Sequence, residues 1–316
     1  MNSYKPEGTL ISSEKNYEYI SSISGLERAA ERGIILEGVA TLCDHELNLR
    51  VDFPCGISGK IPKNEALLSK EGEHAKDIAI LTRVGKAVSF KIVGFKIDKF
   101  GNRSVILSRK AAQAECLENY ISTLTPGDII PAKITHLENF GAFVDIGCGI
   151  ISLLSIDCIS VSRISHPSER LYVGETINVI VKSIDERGRI YVSLRELLGT
   201  WSENASYFCE GETVSGIIRG VESYGIFVEL TPNLAGLAEY RDNVYSGQSA
   251  AVYIKSIIPE KMKIKLIIID THDTLPPPPG TLRYFVSPES VSHIDSWTYS
   301  PKGSKRRVES LFGEVL

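Results

Sequence analysis

Residues 127–146 read GDIIPAKITHLENFGAFVDI, and residues 211–230 read GETVSGIIRGVESYGIFVEL. Both open on glycine and an acid, alternate through a strand-like run, and reach aromatic-Gly-x-Phe-Val-acid after the same interval. Matched offsets across the whole window make this an internal repeat. The copies stay in step further on. Residues 173–184 (VGETINVIVKSI) answer to 245–257 (YSGQSAAVYIKSI), and 187–194 (RGRIYVSL) answer to 261–268 (KMKIKLII). Each unit of about 70 residues holds five short β-rich runs separated by glycine turns, which predicts a small closed barrel. Closure removes the free strand edges through which β-proteins aggregate.

A more diverged copy precedes these two. Residues 33–42 (GIILEGVATL) match the opening strand, 84–93 (VGKAVSFKIV) the fourth and 102–109 (NRSVILSR) the last, while Asn64 to Thr82 is longer and partly helical in pattern. Between the units lie two helix-like stretches. Ser108 to Leu124 sets Ala112, Cys116 and Tyr120 at four-residue spacing, and Leu194 to Phe208 does the same with Leu197, Trp201 and Ala205. The expected organisation is an N-terminal extension (1–31), a diverged barrel (32–110), a helical linker (111–125), a second barrel (126–197), a second linker (198–208), a third barrel (209–270) and a C-terminal tail (271–316). The tail starts with the run Pro276 to Pro279, which predicts an extended polyproline spacer. It continues with aromatic residues (Tyr284, Phe285, Trp297, Tyr299, Phe312) and the basic cluster Lys305, Arg306 and Arg307. Those residues suit either a docking element or an extension packed on the third barrel.

Composition narrows the function. A charged share of 23% and an apolar share of 43% are ordinary for globular protein. No apolar run approaches the roughly 20 residues that span a bilayer, and the first residues lack a signal-peptide apolar block, so a cytoplasmic location is expected. The net charge of −4 argues against indiscriminate attraction to polyanions, so any nucleic-acid affinity must come from local patches and stacking. Six cysteines are scattered singly, without a zinc spacing or a need for disulfides. The histidines (His45, His74, His136, His166, His272, His293) are isolated, and no phosphate-cradling glycine loop occurs. No enzyme, metal, cofactor or small-molecule substrate is expected.

The repeats resemble the S1 RNA-binding domain, an OB-type barrel. The likeness is carried by Gly127 and Asp128, by residues 140–145 (FGAFVD), by Val173 and Gly174, and by residues 185–194 (DERGRIYVSL). Residues 198–205 (LGTWSENA) and 225–237 (GIFVELTPNLAGL) are similar to short, ribosomal-S1-like proteins of clostridial bacteria. The fold class implied is all-β with short helices: three tandem OB-fold, S1-type five-stranded barrels joined by helical linkers. The resemblance also implies single-stranded RNA binding on one barrel face, through two aromatics, a histidine, an aspartate and an arginine. In the second unit Phe140 and Phe143 match the aromatics, Asp185 the aspartate and Arg189 the arginine, with Ser155 in the place of the histidine. In the third unit Tyr224 and Phe227 match the aromatics and Lys263 the arginine, while Glu239 replaces the histidine.

The chemistry of these residues points the same way. Stacking on an exposed ring contributes about 1–3 kcal/mol per base and tolerates any sequence. Arg189 and Lys263 on an adjacent strand would add phosphate or cation–π contacts. Two rings three residues apart normally fall on opposite faces of a strand, so Gly141 and Gly225 are expected to allow a bulge or a sharp coil that brings them together. Phe143 and Phe227 could equally fill the barrels, and Arg189 and Lys263 could be plain solvated charges.

The first unit differs. Its corresponding window, residues 44–52 (DHELNLRVD), has no aromatic pair, although residues 33–109 carry twelve Lys/Arg against nine Asp/Glu. It could use charge where the others use rings, or dock on a partner protein without touching RNA. The expected partner of the chain is single-stranded RNA, such as mRNA, with the small ribosomal subunit as a further candidate. The rival expectation is a protein–protein adaptor whose barrels have shed most RNA contacts.

Overall fold

The computed structural model describes residues 4–68, 77–97, 101, 103–273 and 282–312. His74 and the proline run Pro276 to Pro279 lie outside the described residues. The protein is mostly β, with three closed five-stranded barrels in sequence. The first contains β1 (Leu36–Cys43), β2 (Leu49–Asp52), β3 (Ser58–Ile61), β4 (Ala87–Ile97) and β5 (Arg103–Ser108), ordered β1-β2-β3-β5-β4. Two capped helices, α1 (Glu14–Ile20) and α2 (Ile23–Glu31), precede it, and a short helix, α3 (Asp77–Leu81), lies between β3 and β4. The linker helix α4 (Arg109–Asn119) follows β5.

The second barrel comprises β6 (Ile129–Glu138), β7 (Gly141–Asp145), β8 (Ile151–Ser155), β9 (Thr176–Ile184) and β10 (Ile190–Ser193). After the short helix α5 (Trp201–Ala205) comes the third: β11 (Thr213–Glu222), β12 (Gly225–Thr231), β13 (Leu234–Ala238), β14 (Ser249–Ile258) and β15 (Lys263–His272). Each barrel repeats one topology, in which the third and fifth strands close the sheet as a parallel pair. A small hairpin, β16 (Ser296–Thr298) and β17 (Glu309–Leu311), is added near the C-terminus. No helix among the described residues is long and apolar enough to cross a membrane.

The chain forms two compact units, residues 1–124 with 145–151, and residues 125–144 with 152–316. In the first, Tyr19, Ile20, Leu26 and Ala29 of the N-terminal helices share one core with Leu49, Ile61, Phe90 and Leu107 of the barrel. Of the expected linker face, Ala112 and Cys116 are fully buried on α4, while Tyr120 lies just past the helix end and is half-buried. This unit also buries charge. Arg109 donates from Nε to Glu7 Oε1 (2.7 Å) and from Nη2 to Glu7 Oε2 (3.0 Å). Asp145 accepts the N–H groups of Glu7, Gly147 and Gly149, and Glu37 accepts those of Gly8, Leu10 and Ile11. Arg109 therefore adds nothing to the basic surface that the charge count of the first barrel suggested.

Burial outweighs these N–H donors and pushes both Asp145 and Glu37 up to about 7. Each carboxyl holds its proton more tightly folded than unfolded. The stability it contributes is complete below about pH 4 and is lost as the pH rises towards 7. On the order of 3 kcal/mol per group is at stake. Thermal unfolding between pH 4.5 and 7.5 should show the first unit losing stability with rising pH, and Glu37→Gln should flatten that slope. A melting temperature that climbs through this range would contradict the assignment.

In the second unit one core joins Ile180 and Leu197 to Trp201 and Ala205 of α5, to the third barrel, and to Trp297, Tyr299 and Phe312 of the tail. Leu197, Trp201 and Ala205 are buried together, but not on one helix face as their spacing predicts: Leu197 lies in a separate 3₁₀ turn, Arg195–Leu198, and Gly199 at φ 85° breaks the run before α5. The tail aromatics are core residues here, which favours the packed extension over the docking element. Its backbone is tied down as well: Phe285 donates its N–H to Leu197 O (2.9 Å), Ile129 to Ser292 O (2.8 Å) and Ile294 to Gly127 O (3.0 Å). Lys305, Arg306 and Arg307 remain exposed between β16 and β17.

Candidate nucleic-acid interface

Phe140 and Tyr224 occupy the same place in their barrels. Each is the second residue of a two-residue loop, between β6 and β7 in one case and between β11 and β12 in the other. Phe140 is 54% exposed and Tyr224 is 68% exposed. Along β7 the fully buried Ala142 and Val144 flank Phe143, and along β12 the fully buried Ile226 and Val228 flank Phe227. Strand alternation therefore turns Phe143 and Phe227 outward. The ring centroids of Phe140 and Phe143 lie 5.9 Å apart at 88°, and those of Tyr224 and Phe227 lie 6.1 Å apart at 86°. The same edge-on pair is built twice.

Of the bulge or sharp coil expected at Gly141 and Gly225, the structure has the sharp turn of a two-residue hairpin loop. The first ring leaves the hairpin loop before alternation begins, so strand parity does not apply to it. Gly141 and Gly225 also serve close approach. A Cβ on Gly141 would lie 2.4 Å from Leu154 O, and one on Gly225 would lie 2.6 Å from Ala238 O. The third barrel does carry an irregularity here, but on the partner strand β11, between Ile218 and Gly220.

Asp185 and Arg189 meet at the β9–β10 turn. Asp185 Oδ1 accepts the N–H groups of Arg187 and Arg189, both at 2.9 Å, and Oδ2 accepts Arg189 Nε at 2.8 Å. The Arg189 and Arg187 donors and the guanidinium hold the Asp185 carboxyl below its ordinary range. Asp185 thus shapes the turn and aims the exposed Arg189. Lys263 is exposed at the start of β15, paired in register with Ile258. Ser155 bonds to Asp157 rather than supplying a ring, and Glu239 is exposed just beyond β13.

Three residues of these faces were not anticipated. His136 stacks on Phe143, with centroids 6.4 Å apart at 19°, and its Nε2 lies 2.7 Å from Glu138 Oε1. Tyr191 sits between the buried Ile190 and Val192 on β10, and so faces outward. In the third barrel the register runs from Gly220 to Phe227, on to Leu237 and then to Lys265, so Lys265 shares the row of Phe227. The alternation of Lys261, Lys263 and Lys265 was the available signal for it.

Gly220 faces Phe227 as His136 faces Phe143. A Cβ at Gly220 would meet only Phe227 Cδ2, at 3.8 Å, so a larger residue fits. Gly220→His should supply the missing third ring and strengthen RNA binding by the third barrel by up to about fivefold, roughly 1 kcal/mol. Titration in a Phe140→Ala background, where that barrel has the better platform, measures this gain, and an unchanged affinity would refute it.

The first barrel has no ring pair at this position. On β2 and β3 the outward cations are paired with neighbouring acids: Arg50 Nε lies 2.7 Å from Asp52, and Lys60 Nζ lies 3.7 Å from Asp44 and 3.8 Å from Glu46.

Residues 123–195 match the family model of the S1 RNA binding domain. The second barrel is an S1 domain. Small ribosomal subunit protein bS1 of Staphylococcus saprophyticus is 32% identical over 252 residues, covering 73% of this chain and 60% of that protein. The bS1 of Staphylococcus aureus is 28% identical over 302 residues, covering 89% of this chain and 74% of its own length. The first of these matches thus spans only 60% of the relative. The solution structure of GSP13 from Bacillus subtilis is 30% identical over 23% of this chain and 57% of that one, with a TM-score of 0.22. Outside the S1 domain, the shared barrel topology and the repeated ring pair extend the likeness to the third barrel.

Proposed function

We propose that the chain binds single-stranded RNA on the second and third barrels, stacking bases on Phe140 with Phe143 and on Tyr224 with Phe227. His136, Tyr191, Arg189, Lys263 and Lys265 supply the surrounding ring and cationic contacts, and the protein acts by binding without catalysis, metal or cofactor. The observation that carries this reading is the repetition of one exposed, edge-on ring pair in two barrels. Core residues would not stand 54% and 68% exposed in matching loops. The bS1 relatives, named as small-subunit proteins, support a cytoplasmic, translation-linked role with mRNA or ribosome-associated RNA as ligand. Equilibrium titration with labelled single-stranded RNA tests it. Saturable binding that weakens as salt rises is expected, and binding no tighter than about 10⁻⁴ M would overturn it.

For the first barrel the adaptor reading is the better one. Its β2–β3 face lacks the ring pair and its cations there are paired with acids, while Val93, Phe95 and Ile97 stand exposed along β4. Capture of a partner protein that persists after ribonuclease and is lost with Phe95→Asp would support that division of labour. Capture abolished by ribonuclease would argue against it.

A further inference from the structure

The second and third barrels are joined by more than their linker. The connection from β8 to β9 starts at one ring platform: Ile156 donates its N–H to Phe140 O at 2.9 Å. It then runs onto the third barrel. Val161 donates to Asn233 Oδ1 (2.9 Å) and Ser162 to Pro232 O (3.0 Å). It ends at the other platform, where Arg170 pairs with Glu229 and Glu169 pairs with Arg219. Glu229 lies two residues beyond Phe227 on β12, on the same outward side. Arg219 adjoins Gly220, the residue facing Phe227, and its Nε reaches Glu229 Oε2 at 2.9 Å. Arg170, Arg219 and Glu229 have side chains 6%, 8% and 5% exposed, so this is a buried joint.

The stretch from Ile156 to Glu169 spans at most about 45 Å even if fully extended. Two 3₁₀ turns along it, Ile156–Cys158 and Pro167–Glu169, make the real distance shorter. Arg163 stands exposed midway. Building on the RNA-binding reading above, we infer that a single RNA strand crosses both platforms at once, following this connection and passing its phosphates over Arg163. The ligand class is therefore an RNA segment long enough to cover two barrels, rather than two short segments bound independently. Because both barrels and the tail share one core, the second platform meets a strand already held by the first at high effective concentration.

Two labelled oligouridylates, of about 5 and about 25 nucleotides, separate joint from independent binding, since one OB-type site takes about 4–16 nucleotides. The full chain is titrated as wild type, Phe140→Ala and Tyr224→Ala. Joint binding predicts one 25-mer per chain, with either substitution weakening the 25-mer at least about tenfold but the pentamer only about twofold. Arg163→Ala should also weaken the 25-mer and lower its salt slope by about 1. Losses of about twofold on both oligomers, two 25-mers per chain, or an Arg163→Ala variant matching wild type on the 25-mer would overturn the shared path. Pentamer binding with any of those results defeats the path alone. Failure of both oligomers to bind defeats the RNA reading with it.

Discussion

Phe140→Ala combined with Tyr224→Ala should weaken binding of single-stranded RNA by about thirtyfold or more. Each exposed ring contributes about 1–3 kcal/mol to a stacked base, and the pair removes both. The fold should survive. Phe140 and Tyr224 sit in hairpin loops with most of the ring in solvent, and exposed positions of this kind usually change stability by about 0.5 kcal/mol or less. Phe143 and Phe227 are less suitable targets, because their rings also pack on the strands beneath them, and truncation would mix lost binding with lost stability. Tyr17→Ala, which removes an exposed ring on α1, is the matching control and should leave binding unchanged. The measurement is a titration at fixed salt with unfolding curves run in parallel. Equal affinity of the double variant and wild type would remove stacking as the mode of recognition.

The barrels were legible in the sequence because their evidence is local. Glycine-acid openings, alternation and aromatic-Gly-x-Phe-Val recur at fixed offsets, and the hairpins between the first and second and between the fourth and fifth strands close across short connections. The ring pair was legible for the same reason, although the choice between a bulge and a sharp coil was not. Parity along β7 and β12 can be counted, but whether the first ring belongs to the strand or to the loop depends on where pairing starts. Lys265, Tyr191 and His136 escaped because each joins the face through cross-strand register. Lys265 lines up with Phe227 only after β13 has paired with β15 in parallel, and nothing near Lys265 in the chain encodes that alignment. Glu7 and Arg109 are further removed still. Their ion pair closes across more than 100 residues, and an acid in a polar N-terminal stretch gives no hint that it will be buried.

The tail presents the same difficulty with a larger energy attached. Trp297→Ala should destabilise the second unit by about 3–5 kcal/mol, lowering its melting temperature by on the order of 10 °C while leaving the first unit unaffected. Trp297 is 7% exposed, packs 5.6 Å from Tyr299, and joins the core shared by α5 and the third barrel. Its indole N–H has no hydrogen-bond partner among the described residues, so the ring's volume carries the effect. Trp297→Phe should therefore cost much less than Trp297→Ala. The consequence reaches the RNA face through Asn233. Tyr299, two residues after Trp297, donates its hydroxyl to Asn233 O at 2.6 Å. Asn233 in turn holds Val161 through Oδ1, and Arg195 O and Gly199 O through Nδ2. Loosening the tail thus loosens the turn that fixes the β8–β9 connection. Below its melting temperature Trp297→Ala should lose more affinity for a 25-nucleotide RNA than for a pentamer. A variant as stable as wild type would return the tail to the docking role, because an aromatic that contributes nothing to the core must be kept for a partner.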